Sequence, residues 1–214
     1  MLLSVASCGE KRPQQQNATD DEWFGRAVNT NRDSTLYGTC GDGSAMNSLQ
    51  LITDNGDTLL LSTVAAKDAE RVFGGYAVGD RMAIITDAQR TQALSVINVS
   101  SLMGDWVTVN PMDGVSKMGM SIRDGGIAES INQNDLVYRT WRLVNGSLEL
   151  QSVRESGGDF EEVERFRIVY LTRDSLSLAT AEDVYEYNRP SSQDLLIESY
   201  DGVDDEDEDD DLVF

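Results

Sequence analysis

The sequence predicts an all-β protein of two small antiparallel β-barrels, the second built from eight strands running up and down. Three observations lead there. Short runs rich in Val, Ile, Leu and Thr alternate apolar with polar residues, and a period of two belongs to half-buried strands. The joints between runs are Asn-Gly, Asp-Gly and Gly-Gly pairs, which accept positive φ and suit hairpins. The 214 residues also divide cleanly. An apolar start covers 1–8, a polar spacer 9–33, a five-stranded barrel 34–100, the eight-stranded barrel 101–189 and an acidic tail 190–214.

The start reads Met-Leu-Leu-Ser-Val-Ala-Ser-Cys, and Val5-Ala6-Ser7-Cys8 resembles a bacterial lipobox. That resemblance implies export, cleavage before Cys8 and acylation of its sulfur, with several acyl chains holding the protein on a membrane. The apolar run is short and no basic stretch precedes it, so a longer leader ahead of Met1 is expected. Gly9 to Asp33, with Lys11-Arg12-Pro13-Gln14-Gln15-Gln16-Asn17 near its start, reads as a flexible spacer. Trp23-Phe24 within it is read as a short docking turn.

Strands are expected at Leu36–Cys40, Met46–Thr53, Thr58–Ser62, Arg81–Thr86 and Thr91–Val99. Asp54-Asn55-Gly56-Asp57 joins the second to the third as a tight hairpin. Residues 63–79 hold a helix-prone piece, Ala65 to Arg71, and then a glycine-rich loop. This element order resembles an OB-fold-like small barrel. Cys40 is expected as an unpaired strand-end thiol if Cys8 is acylated, with a Cys8–Cys40 disulfide the alternative in an oxidising compartment.

The second barrel is expected from Leu102–Val109, Lys117–Arg123, Gly126–Ile131, Leu136–Leu143, Ser147–Arg154, Val163–Leu171, Ser175–Thr180 and Asp183–Asn188. Period-two alternation groups Met118, Met120 and Ile122 on one face. It likewise groups Leu136, Tyr138 and Thr140, then Leu148 and Leu150, then Phe166, Ile168 and Tyr170. The opposite faces carry Lys117, Arg123, Arg139, Glu149, Arg165 and Arg167. One dry and one wet face per strand is what a closed barrel requires.

Gly104-Asp105-Trp106 opens the first of these strands and is similar to the Gly-x-Trp signature of lipocalins. Asp124 to Ile131, Tyr138-x-x-Trp141 and Gly146-x-Leu148-x-Leu150 resemble the lipocalin-like domains of bacterial lipoproteins, over about residues 102–189. The resemblance implies that Trp106 plugs the closed end of the barrel beneath an Arg near the last strand, for which Arg189 is the candidate. It also implies a small apolar or amphipathic ligand. The barrel is short for that family, so its interior is either a filled core or a small cavity lined by Met118, Met120, Tyr138, Phe166 and Tyr170. Glu129 alternates with Ile127 and Ile131, and simple pleating points it inward. There it would pair with an Arg, meet a ligand's polar head or sit in water at the mouth.

Charge and composition narrow the function classes. The net charge is −21, and Asp194, Glu198, Asp201 and the run Asp204–Asp211 account for 11 of the 38 acidic side chains. The 27 that remain still outnumber the 17 basic residues, so nucleic acid is not expected as a partner. The sequence has no His, the commonest general base and metal ligand, and two Cys cannot make a zinc site alone. The pairs Glu161/Glu162 and Asp124/Glu129 read as surface and turn acids, so no catalytic residue, metal ligand set or cofactor is predicted. The expectation is a non-enzymatic, lipid-anchored binding protein of the bacterial cell envelope, on the outer membrane. An envelope scaffold contacting a protein or glycan partner, with filled barrels, is the alternative.

Overall fold

A computed structural model describes residues 33–133, 135–154 and 160–191. Cys8, the spacer up to Arg32, Gly157-Gly158 and the acidic run after Ser191 lie outside the described residues. No helix among those described is long and apolar enough to cross a membrane.

The smaller sheet contains β1 (Leu36–Cys40), β2 (Ser48–Thr53), β3 (Thr58–Ser62), β4 (Val72–Phe73), β5 (Arg81–Thr86) and β6 (Ala93–Asn98). Its order is β3-β2-β1-β5-β6-β4. All pairs are antiparallel except β4 with β6. A parallel bridge between Ser62 and Gln92 brings the end of β3 to the approach of β6. The Asn55-Gly56 turn forms as expected, with Gly56 at φ 88°. A short helix, α1 (Val64–Asp68), follows β3. Three details depart from the sequence reading. β4 is a strand where a glycine-rich loop was expected, because Val72 and Phe73 pack beside Val96 and Ile97. Met46 lies outside β2 and is exposed. The fifth expected strand stops at Asn98, whose side chain accepts from the Ser101 amide and so caps a second helix, α2 (Val99–Leu102). Cys40 is a buried, free thiol 3.2 Å from Ser44 Oγ.

The larger sheet is an antiparallel, nearly closed eight-stranded barrel. It comprises β7 (Gly104–Val109), β8 (Lys117–Ile122), β9 (Ala128–Ile131), β10 (Leu136–Val144), β11 (Ser147–Arg154), β12 (Phe160–Leu171), β13 (Ser175–Ala179) and β14 (Val184–Asn188). The order is β10-β11-β12-β13-β14-β7-β8-β9. An Ile127–Thr140 bridge and the Ser130 hydroxyl, which donates to Leu136 O at 2.6 Å, draw β9 back onto β10. β14 meets β7 through one pair, Asn188 with Val107. Asn145 and Gly146, at φ 50° and 81°, make the two-residue turn between β10 and β11. Gly119 lets β7 and β8 approach, since a Cβ there would fall onto the Trp106 carbonyl.

The two sheets share one core. Phe73, Ala83, Ile97 and Val99 pack with Trp106, Leu143, Leu171 and the other interior residues of the barrel. Hydrogen bonds reinforce this contact. The Tyr37 hydroxyl donates to Leu143 O at 2.9 Å, the Gly74 amide to Leu171 O at 2.9 Å, and the Ser34 amide to Asn145 Oδ1 at 3.0 Å. The smaller sheet therefore covers one end of the barrel.

Candidate functional site

Strand register decides which side chains face into the barrel, because directly paired residues share a face. Trp106 pairs with Met120 and Met120 with Ser130; Leu148 pairs with Phe166, Ile168 with Leu178, and Leu176 with Tyr187. Trp106, Met120, Ile122, Leu148, Leu150, Phe166, Ile168, Leu176 and Leu178 are all buried. All nine pack into the one core that also takes in Phe73, Ala83, Ile97 and Val99 of the smaller sheet's side.

Trp106 forms the floor. It is fully buried, and its Nε1 donates to Leu102 O at 2.7 Å. The Arg189 guanidinium lies 3.7 Å from the centre of its ring, close enough for a cation–π contact. Arg189 also donates to the carbonyls of Ser101, Met103, Asp105 and Arg173, at 2.8, 2.7, 3.3 and 3.2 Å. Gly104, at φ 113°, makes room for it, since a Cβ would collide with the guanidinium. Burial lowers the Arg189 pKa below its usual value, with Asp105 and Asp174 opposing the shift.

The opposite end is different. There the half-buried Met118 and Leu136 face inward with Tyr138, Ser152 and Tyr187. β12 contributes Glu162 and Glu164, paired with Ser152 and Leu150. β14 contributes Tyr185, paired with Leu178 and edge-on to Phe166 at 6.0 Å. Burial, and then Glu164 and Tyr185, push the Tyr138 phenol up to about 12. Burial also raises Tyr187 strongly and Tyr185 to a lesser degree, with negative groups around them adding to the effect. All three phenols are neutral at physiological pH. The arrangement is an apolar funnel with neutral phenols and two inward carboxylates, Glu162 and Glu164, towards its opening. Glu164, Tyr185 and Tyr187 were absent from the sequence-derived candidates, although extending the Phe166/Ile168 alternation two residues back reaches Glu164.

Met118, Met120, Tyr138 and Phe166 thus line the interior, but two expected residues do not. Tyr170 is 53% exposed. The β12–β13 register shifts between Ile168 and Tyr170, and the extra residue of a bulge inverts which side faces in, so Leu171 is buried instead. Glu129 also points outward, its side chain 60% exposed. β9 pairs Ala128 with Ile122 and Ser130 with Met120, which turns the small residues inward and leaves Glu129 with Arg123 at 3.6 Å. Arg123 in turn meets Asp105 at 3.0 Å. A second bulge, between Tyr138 and Thr140, places Thr140 outside and Trp141 inside.

Two other polar features stand outside the funnel. Glu149 is buried on the barrel's outer face between Arg142, whose Nε lies 2.6 Å from Oε2, and Arg165, whose Nε lies 2.9 Å from Oε1. A concavity of about 540 Å³ lies where the two sheets meet, lined by Tyr37, Arg81, Met103, Asp124, Trp141 and Arg142 among others. Among the described residues no group of three or more Cys, Asp or Glu is placed to hold a metal ion.

Residues 98–190 match the model of a family described as lipocalin-like. A lipocalin-like protein from Bacteroides thetaiotaomicron, known from a crystal structure, is 30% identical. That match covers 42% of this chain and 97% of the other, with a TM-score of 0.39. No curated protein matches the chain.

Proposed function

With residues 98–190 forming a lipocalin-like domain, we propose that this barrel holds a small apolar or amphipathic ligand in its open half and carries out no catalysis. The observation that carries the reading is the contrast between the two ends. Below Phe166 the interior is filled by fully buried side chains, whereas Met118, Leu136 and Tyr187 face inward and stay half-buried. A small eight-stranded barrel has room for its own side chains or one small ligand, and here the two share the length. The apolar walls supply affinity through burial, and the phenols fix orientation.

The test is a titration with N-phenyl-1-naphthylamine, an uncharged apolar probe that fluoresces when buried. Saturable binding at one site is expected. Met118→Trp, which places bulk in the half-open mouth, is expected to weaken binding about tenfold, the worth of roughly 1.4 kcal/mol, while leaving the thermal midpoint unchanged. No saturable binding by the unaltered protein would overturn the reading.

The cellular setting is part of the proposal. Val5-Ala6-Ser7-Cys8 supports a lipid-anchored protein of the bacterial cell envelope, tethered to the outer membrane through Cys8 and a polar spacer. Growth with an alkyne-tagged fatty acid is expected to label the protein expressed from its own reading frame. Cys8→Ala is expected to abolish the label and Cys40→Ser to retain it. Labelling that survives Cys8→Ala would remove the tether from the proposal.

A further inference from the structure

We infer that the ligand of the barrel is a cationic amphiphile of the alkylamine type, its ammonium head held by Glu164 among the phenols of Tyr138, Tyr185 and Tyr187. This rests on the barrel reading above and adds the class of ligand to it.

Register makes the first part of the case. Leu148 and Leu150 lie on the buried inner face of β11, and their partners on β12 are Phe166 and Glu164. Glu164 therefore projects into the barrel one step above Phe166. Two further charged residues share this inner face nearer the opening, Glu162 opposite Ser152 and Arg154 opposite Phe160. These two satisfy each other, with Arg154 Nε 3.1 Å from Glu162 Oε2. Glu164 makes no ion pair among the described residues. It is exposed to solvent from the mouth, so a ligand's head can reach it.

The surroundings choose the sign of that head. Tyr138 pairs with Ser152, the neighbour along β11 of Glu164's partner Leu150, and Tyr185 stands edge-on at 6.0 Å to Phe166, the next inward residue of β12. Glu164 raises the pKa of both phenols and of Tyr187. Neutral phenols offer oxygen acceptors to an ammonium, and their rings present negative faces to a cation. The acidic side chains of Glu182 and Asp183 also act on Tyr185. Arg154 is the basic residue acting on Glu164, and Glu162 already engages it. An anionic head would enter a negative field and face Glu164 directly, whereas an ammonium would neutralise it. Partial burial sets Glu164 above the usual carboxylate range, against the pull of Arg154, and a bound ammonium would bring it down.

Three decyl amphiphiles that differ in the head alone test this: n-decylamine, n-decanol and decanoate. Each is titrated calorimetrically into the full chain at neutral pH and about 0.15 M salt, where distant charges are screened. Decylamine is expected to bind about tenfold more tightly than decanoate, the effect of one partly desolvated ion pair, with decanol between them. Glu164→Gln is expected to bring the amine within about threefold of the alcohol and leave decanol binding unchanged. Glu70→Gln, on the smaller sheet's side of the molecule, is expected to change none of the three. An NMR titration of the Glu164 side chain is expected to show its midpoint falling when decylamine is bound. Equal affinities, a preference for decanoate, or an amine preference that survives Glu164→Gln would each overturn the cationic assignment while the barrel reading stands. Failure of all three to bind would remove the barrel reading itself.

Discussion

Replacing Trp106 by alanine is expected to lower the unfolding free energy by about 3–5 kcal/mol, the range for deleting a large aromatic side chain from a well-packed core. Three losses combine. Trp106 is among the largest of the fully buried side chains, so its removal opens a cavity at the barrel floor. The Leu102 carbonyl loses the indole donor it now accepts from, and a buried acceptor without a partner is costly. Arg189 loses the ring it stacks on. Trp106→Phe keeps part of the volume and the stacking face but not the N–H, and is expected to cost about half as much. Arg189→Lys is expected to cost about 1–3 kcal/mol, because one ammonium cannot reproduce a planar fork that reaches four carbonyls. Urea unfolding followed by far-ultraviolet circular dichroism measures all three. Because Trp106 and Arg189 touch, their combined replacement is expected to cost less than the sum of the separate effects. Strict additivity would show that the floor is not a single unit.

The second large effect belongs to Glu149. Its side chain is only 4% exposed, whereas those of Arg142 and Arg165 are 71% and 45% exposed. Burial alone would raise its pKa, but hydrogen bonds from Arg165 and Arg142 outweigh that and hold the carboxyl below its usual value. A carboxylate with a lower pKa in the folded than in the unfolded state stabilises the fold above the unfolded value. That contribution fades as the pH falls through the folded value. Glu149→Gln is therefore expected to destabilise the protein at neutral pH by about 1–3 kcal/mol, the loss of two charge-assisted bonds to arginines that water can still reach. Below pH 4 the difference from the unaltered protein is expected to shrink. Stability curves for the two proteins measured from pH 7 down to pH 3 check this. A gap that stays constant across the range would show that Glu149 contributes by packing rather than by its charge.

Much of the barrel was legible because strands write their period directly into the sequence. Leu148/Leu150 and Phe166/Ile168 alternate without interruption, and their inward direction follows. Turn chemistry was equally plain at Asn145-Gly146, where positive φ is needed twice. What alternation cannot register is a bulge. One added residue at Val169, and another near Arg139, reversed the sides of Tyr170 and Thr140 while leaving the apolar count unchanged. Glu129 faces outward for a related reason. Ile127 and Ile131 suggested the inner face, but β9 takes its phase from pairing with Met120 and Ile122, so Ala128 and Ser130 went inside. The helix Val99–Leu102 was hidden because its cap, Asn98, stands inside a convincing strand pattern. The mouth is hidden from the sequence for a physical reason too. Charged residues on an inner face look like loop or surface residues until the register shows what they oppose.

The seal between β14 and β7 has a consequence for biosynthesis. The first strand of the barrel is finished within residues 104–109, but its neighbour on the other side is the last, 184–188, and the guanidinium that locks them together is at Arg189. While the chain is being made, about eighty residues must emerge before the ring can shut. Until then β7 and β13 each present an unpaired edge, the kind of surface through which nascent chains stick to one another. Hairpins such as β10–β11 can form early from local contacts, but the barrel as a whole becomes safe only at its final strand. A chain that stalls short of Arg189 would be a substrate for chaperones rather than a shortened version of the protein.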